Sequence, residues 1–192
     1  MITPRSFKPY QDEGATIIEG IKNGSAKVVS DGSSKSAKGA AAWVLEGTNE
    51  ICNLKGTTAV PGSLIDQSAY CSELVGILAA LSMTQVLCAY CQIESGSLTM
   101  GCENTSAIFL APDLDIKIST RMADHDILYG IHWTLKNIPI EILWVHVRGH
   151  QDDKKEAHQL TRLEELNCEM DSLAKAAVNN IVTQGFMNRS ME

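Results

Sequence analysis

The stretch VVSDGSSKSAKGAAAWVL, residues 28–45, decides the fold. Apolar runs flank a segment rich in Ser, Gly and Lys, which is typical of two strands joined by a hairpin turn. Turn-forming residues begin at Asp31, so we expect a first strand at residues 26–30 that ends there. A second strand follows at residues 39–45, and the alternation in residues 50–58 predicts a third. The simplest arrangement is an antiparallel sheet of two adjacent hairpins.

Outward from this hairpin, the chain alternates between helical and β patterns. Apolar residues at three- and four-residue spacing predict helices at residues 66–91, 121–137 and 160–183, the last stopped by Gly185. Short apolar runs predict a strand at residues 97–101 and a buried strand at residues 140–147, while residues 103–109 predict one or two helical turns. The order β-β-β-α-β-α-α-β-α indicates an α/β fold whose mixed sheet is covered by helices.

Length and composition bound the class of protein. With 192 residues, 44% of them hydrophobic, the chain can bury the core of one domain. We expect that domain at residues 26–185, after a leader or linker at residues 1–25 and before a tail at residues 186–192. The N-terminus lacks the layout of a signal peptide, and the longest apolar runs are short for a membrane span. We therefore predict no membrane partner.

The cysteines indicate a compartment. Six cysteines in a chain of this size, without an export signal, predict reduced thiols in the cytosol or nucleus. The lone Cys88-x-x-Cys91 motif leaves metal or redox chemistry as an alternative. Net charge is −7, which by itself argues against a free-standing protein that binds the phosphate backbone.

Four acidic residues stand at informative positions. Asp31 follows the first predicted strand, Glu73 and Asp171 lie beside the apolar stripes of two helices, and Glu103 directly follows a short strand. Taken singly, such acids are usually caps or turn residues. Four ionised acids in one pocket require cations, and hard divalent ions such as Mg²⁺ prefer oxygen ligands. Two metals bridged by carboxylates can orient a water and stabilise the leaving oxygen of a phosphodiester.

Five segments, in order along residues 28–177, resemble the ribonuclease H family. VVSDGSSKSAKGAAAWVL resembles its first hairpin, and QSAYCSELVGILAAL resembles its acid-bearing helix. LTMGCENTSAI is similar to the short strand followed by an acid, and WVHVRGHQDD to the W-V-x-G-H segment. NCEMDSLAKAA resembles the final N-x-x-x-D-x-L-A helix. Each piece alone is unspecific, but five in the correct order make coincidence improbable.

The resemblance implies a ribonuclease-H-like fold, with a five-stranded mixed sheet flanked by helices. It implies two Mg²⁺ ions, replaceable by Mn²⁺, and hydrolysis of the RNA strand of RNA–DNA hybrids. The implied metal-binding catalytic residues are Asp31, Glu73, Glu103 and Asp171, and His150 would assist catalysis or product release. The implied substrate contacts are Ser33, Ser34, Ser68, Asn104, Thr105 and Asn167.

The sequence departs from the family at two places. Glu103 stands where the family usually has Asp, and residues 150–171 form a longer segment than in compact members. A weak or inactive scaffold, a nucleic-acid-binding module and another nuclease of the same superfold therefore remain alternatives. The basic handle of some cellular members is also absent, since residues 111–120 carry Asp113 and Asp115 against Lys117. By resemblance, this indicates the ribonuclease H part of a retroelement polyprotein, with a reverse-transcriptase polymerase domain as partner.

Overall fold

A computed structural model describes residues 13–50, 53–62 and 67–189 of the protein. The first half contains α1 (Glu13–Asn23), β1 (Lys27–Lys35), β2 (Lys38–Glu46), β3 (Asn53–Ala59), α2 (Ala69–Tyr90) and β4 (Ser97–Cys102). The second half contains α3 (Thr105–Leu110), α4 (His125–Asn137), β5 (Glu141–His146) and α5 (Arg162–Arg189), with a short 3-10 helix at Ala157–Gln159.

The strands form one five-stranded sheet in the order β3-β2-β1-β4-β5. Neighbours β1, β2 and β3 pair antiparallel, whereas β4 and β5 continue the sheet parallel to β1. The mixed sheet and the α/β class predicted from the sequence are confirmed.

Alternation along β1 and β2 gives the sheet two apolar faces. On one face, Val28 and Leu45 join the main core, to which α2 contributes Leu74, Ile77 and Leu81. On the other face, a smaller cluster joins the sheet to α5 and consists of Val29, Ala42, Val44, Leu166, Met170 and Ala174. Helices therefore cover both sides of the central strands.

Helix α2 is apolar on all sides. Its length and composition alone would suffice to cross a membrane, but 61% of its most apolar window is buried inside the protein. A core helix of a folded domain passes the same test, and α2 packs on β1 and β2 in this way.

The first strand extends beyond its predicted end. Strand β1 continues to Lys35, with Asp31 opposite Ala42 and Gly32 opposite Ala41, so the prediction that Asp31 ends the strand is wrong. The reversal lies at Ser36 and Ala37, both with positive φ. Small residues on β2 accept the polar segment as a paired strand, and Asp31 is thereby held inside the sheet.

The chain ends also differ from the predicted boundaries. Helix α1 lies within the predicted leader at residues 1–25, and its Ile17 and Ile21 are fully buried. Two apolar contacts in a short helix give too weak a period to be recognised in the sequence. Residues 1–12 lie outside the described part of the chain. At the other end, α5 continues through Gly185 to Arg189, so Gly185 is not a stop and the predicted tail begins inside the helix.

The predicted strand at residues 140–147 is present as β5, but it is not buried. It forms an edge of the sheet, and Leu143 and Val145 are 43% and 38% exposed. Helix α5 packs mainly on β1 and β2, which leaves this side of β5 open.

Candidate active site

Three of the predicted carboxylates converge. Oxygen atoms of Asp31, Glu73 and Glu103 all lie within 4.8 Å of one another, and this is the one such cluster in residues 13–50, 53–62 and 67–189 that could hold a metal ion. Asp31 comes from the middle of β1, Glu73 from the beginning of α2, and Glu103 from the residue after β4. Strands β1 and β4 pair in parallel with Val29 opposite Gly101, so Asp31 and Glu103, each two residues further along, lie side by side.

Glycine allows α2 to reach Asp31. A Cβ atom at Gly32 would overlap the backbone of Ser72 and Glu73. Without that Cβ, the first turns of α2 rest directly on β1 and bring the Glu73 carboxylate to Asp31. Ser68, a predicted substrate contact, caps this helix, since its Oγ accepts a 2.9 Å hydrogen bond from the Cys71 N–H.

Burial governs the charge of the cluster. Asp31 and Glu73 are 2% and 5% exposed. Loss of hydration, followed by the neighbouring charge of Glu103, raises the pKa of Asp31 to about 6, although the Gly32 N–H donates to its Oδ1. Loss of hydration and then the charge of Asp31 raise the pKa of Glu73 to about 9. The Cys102 thiol donates to Glu73 Oε2 over 3.7 Å. At neutral pH and without a cation, burial and mutual repulsion therefore favour a proton bound to the Asp31–Glu73 pair.

The fourth acid borders the cluster. The charge of Asp171 contributes to the raised pKa of Asp31, which places it nearby on α5. Its Oδ2 accepts a 2.6 Å hydrogen bond from Lys175 Nζ, one helical turn further on. Lys175 was not predicted as a site residue, although its i,i+4 spacing from Asp171 is visible in the sequence.

Glu103 is contacted from two further elements. Asn167 on α5 donates from Nδ2 to Glu103 Oε2 at 3.2 Å. The loop after β5 passes so close that a Cβ at Gly149 would overlap the same carboxylate. His150 comes next, exposed and with a φ of 52°, while His146 Nε2 lies 3.0 Å from the backbone oxygen of Glu103. Among the described residues, His150 makes no hydrogen bond or ion pair with the carboxylates, so its predicted role stays a prediction.

The remaining predicted substrate contacts surround the cluster. Ser33 and Ser34 follow Asp31 on β1 and are half-buried and exposed, respectively. Asn104 caps α3, its Oδ1 accepting a 3.0 Å hydrogen bond from the Ala107 N–H. Thr105 is exposed, with its Oγ1 3.5 Å from His146 Nε2. Asn104 therefore has a structural task, while Ser33, Ser34 and Thr105 are accessible.

Comparison with known proteins finds matches for the structure but none for the sequence. No protein-family model matches the sequence, and neither does any curated protein. The structure, in contrast, is similar to the N-terminal RNase H domain of Rv2228c from Mycobacterium tuberculosis, at 13% identity and a TM-score of 0.55, over 83% of this chain and 99% of that one. The chain has the ribonuclease H fold.

Two further solved structures are similar to the chain. LC11-RNase H1 in complex with an RNA/DNA hybrid has 12% identity and a TM-score of 0.56, over 82% of this chain and 99% of that one. The foamy viral protease-reverse transcriptase in complex with dsDNA has 14% identity and a TM-score of 0.50, over 83% of this chain and 94% of that one. Sequence divergence of this size leaves the fold as the property that is shared.

On this ribonuclease H fold, the clustered acids fit a divalent cation. The donor set consists of carboxylate oxygens, the ligands that Mg²⁺, Mn²⁺ and Ca²⁺ prefer. Two of the three acids are buried with raised pKa values, so a cation would remove the repulsion that their ionised forms otherwise experience. Asp171 adds carboxylate oxygens at the border of the cluster.

Proposed function

We propose that this protein is a divalent-metal-dependent endoribonuclease that hydrolyses the RNA strand of RNA–DNA hybrids. The observation that carries the proposal is the convergence of Asp31, Glu73 and Glu103 within 4.8 Å of one another on a ribonuclease H fold. A hybrid-bound RNase H1 among the similar structures supports this choice of substrate.

Asp31, Glu73, Glu103 and Asp171 would hold two Mg²⁺ ions, which supply an activated water and stabilise the leaving oxygen of the phosphodiester. The Gly32 N–H donates to Asp31 Oδ1 at 2.8 Å and so fixes the position of this carboxylate. The exposed hydroxyls of Ser34 and Thr105, with the half-buried Ser33, would recognise the 2′-hydroxyl that distinguishes RNA from DNA. His150, the residue after Gly149, would assist catalysis or product release.

The charge of the chain supports a tethered enzyme. The four proposed ligands account for four units of the net charge of −7, so part of the acidity belongs to the site itself. What remains is still acidic, and residues 111–120 hold Asp113 and Asp115 against Lys117. We infer that affinity for the hybrid comes from a polymerase domain in a retroelement polyprotein, and the likeness to a foamy viral protease-reverse transcriptase supports this inference.

A cleavage assay tests the proposal. A labelled RNA–DNA hybrid is incubated with the full chain in Mg²⁺ or Mn²⁺, beside duplex DNA and single-stranded RNA. We expect metal-dependent cleavage of the RNA strand in the hybrid, lost in Asp31→Asn and retained in Asp115→Asn, which changes an exposed acid outside the cluster. Absence of cleavage with either metal at high enzyme concentration would favour a non-catalytic scaffold, and cleavage of duplex DNA alone would favour another nuclease of this fold.

A further inference from the structure

The third acid of the cluster, Glu103, occupies a space that the rest of the chain leaves for it. Its Oε2 accepts a hydrogen bond from Asn167 Nδ2 at 3.2 Å. Residue 149 is glycine, and the Glu103 carboxylate fills the space that a Cβ atom at this position would take. Two elements distant in sequence, α5 and the loop after β5, therefore enclose one carboxylate.

Asn167 is too deeply buried to contact a substrate. It is 1% exposed, and its Oδ1 has no hydrogen-bond partner among the described residues. A buried carbonyl oxygen without a hydrogen-bond partner is unfavourable. The hydrogen bond that the NH₂ group makes must therefore fix the orientation of the Asn167 amide. That group donates to Glu103. The substrate contact predicted for Asn167 stays a prediction, and the contact that the structure shows is with an acid of the site.

Gly149 is held against Glu103 by its own loop. The Gln151 side chain, 5% exposed, donates from Nε2 to the Gly149 carbonyl oxygen at 3.0 Å. Further along, Lys155 Nζ pairs with Glu164 Oε1 on α5 at 2.6 Å. The second contact anchors the loop to α5, and the room for the Glu103 carboxylate depends on the absence of a side chain at position 149.

We propose that Asn167 is a positioning residue for Glu103 and that Gly149 makes room for this longer acid, so that the three residues form one matched unit. This inference rests on the proposed function as far as it concerns metal binding. In this chain, Glu103→Asp withdraws the carboxylate by one methylene from Asn167. The substitution toward the acid usual in the ribonuclease H family is therefore expected to weaken metal binding.

The first experiment is a double-mutant cycle on Mn²⁺ affinity, measured by isothermal titration calorimetry with the full chain. Glu103→Asp and Asn167→Ala should each weaken Mn²⁺ binding about tenfold, the range for residues that orient metal ligands. The double variant should be no weaker than the weaker single variant, because either change already breaks the same hydrogen bond. Asn180→Ala, at an exposed position of α5, should leave the affinity unchanged. Losses that multiply in the double variant would overturn the proposal.

The second experiment uses suppression. Gly149→Ala should weaken Mn²⁺ binding, since the added methyl group displaces the Glu103 carboxylate. Adding Glu103→Asp should recover part of that loss, because the shorter side chain vacates the overlapping space. A purely structural role of Gly149 would give no recovery, and a double variant weaker than both single variants would contradict the matched unit.

Failure of this inference and failure of the proposed function are distinguishable. If the wild-type chain binds neither Mn²⁺ nor Mg²⁺, the proposed function fails. The same variants are then compared by their free energies of unfolding in urea, measured on the metal-free protein. Coupling between positions 103 and 167 in that cycle supports the positioning contact, and additive changes refute it. If Asn167→Ala does not fold, the near-isosteric Asn167→Leu takes its place in both cycles.

Discussion

Asp31 is proposed to bind metal as a charged carboxylate, but it lies in a buried site that disfavours this charge. Its carboxyl is 2% exposed and its pKa is raised to about 6, first by burial and then by the charge of Glu103. At pH 8 without metal, Asp31→Asn should therefore stabilise the fold by about 1–3 kcal/mol, since one pKa unit corresponds to about 1.4 kcal/mol. Urea unfolding in EDTA measures this, with Asp115→Asn as the neutral control. A destabilised Asp31→Asn would show that its charge is compensated in the metal-free fold.

The same burial predicts how stability depends on pH. The pKa of Asp31 is raised from 3.8 to about 6 and that of Glu73 from 4.5 to about 9, so the folded state binds these protons more tightly than the unfolded chain does. Their contribution to stability is fully present below pH 4 and is lost as pH rises to about 9. In thermal unfolding, Mg²⁺ should raise Tm more at pH 8 than at pH 5. An equal Mg²⁺ effect at both values would place the cation away from these acids.

At the scale of elements, the contact between α2 and β1 builds the site. Gly32→Ala should destabilise the protein by roughly 1–3 kcal/mol, because the added methyl group overlaps the helix backbone at Ser72 and Glu73. It should also separate Glu73 from Asp31 and weaken Mn²⁺ binding. Gly14→Ala in α1 is the matched control, since a Cβ there meets nothing within 4 Å, and it should be neutral or stabilising. Equal effects of both variants in urea unfolding would contradict the close approach.

Local patterns predicted the most apolar elements. The three- and four-residue spacing in α2 and the apolar runs in β1 and β2 were sufficient, because α2 packs in the main core and both faces of β1 and β2 are buried. The end of β1 was missed because Gly32 and the serines after it form turns in most contexts, and only pairing with small residues on β2 makes them a strand. Likewise, the composition of β5 does not reveal that it lies at the sheet edge, where exposure depends on how far α5 extends across the sheet.

The candidate site also contains some residues that the sequence predicts and others that it does not. Asp31, Glu73 and Glu103 were predictable because acids beside buried patterns need partners, and the order of elements brings them to one edge of the sheet. The contact of Asn167 with Glu103 spans 64 residues and depends on where α5 crosses the sheet. The role of Gly149 was also not predictable from the sequence. It depends on the Glu103 carboxylate, which fills the space that a side chain at position 149 would need. Such roles follow from packing between elements.

For the whole molecule, charge links the site to the substrate. Residues 111–120 lie between α3 and α4, where Asp113 and Asp115 outnumber Lys117. If the acidic surface limits binding of a hybrid, Asp113→Lys with Asp115→Lys should strengthen binding by the inactive Asp31→Asn chain and steepen its dependence on salt by roughly one to two phosphate contacts.

Fluorescence anisotropy across a salt series measures this effect, with Glu94→Lys combined with Glu141→Lys as the control, since these exposed acids lie outside residues 111–120 and give the same change in net charge. Stronger binding through residues 111–120 alone would mean that the segment faces the hybrid and that its acidity keeps the isolated domain weak. Equal gains at both places would instead reflect net charge, because attraction to the phosphate backbone then needs no particular surface. Unchanged binding in both variants would refute the link between surface acidity and weak affinity, and with it the reason for expecting a tethered polymerase.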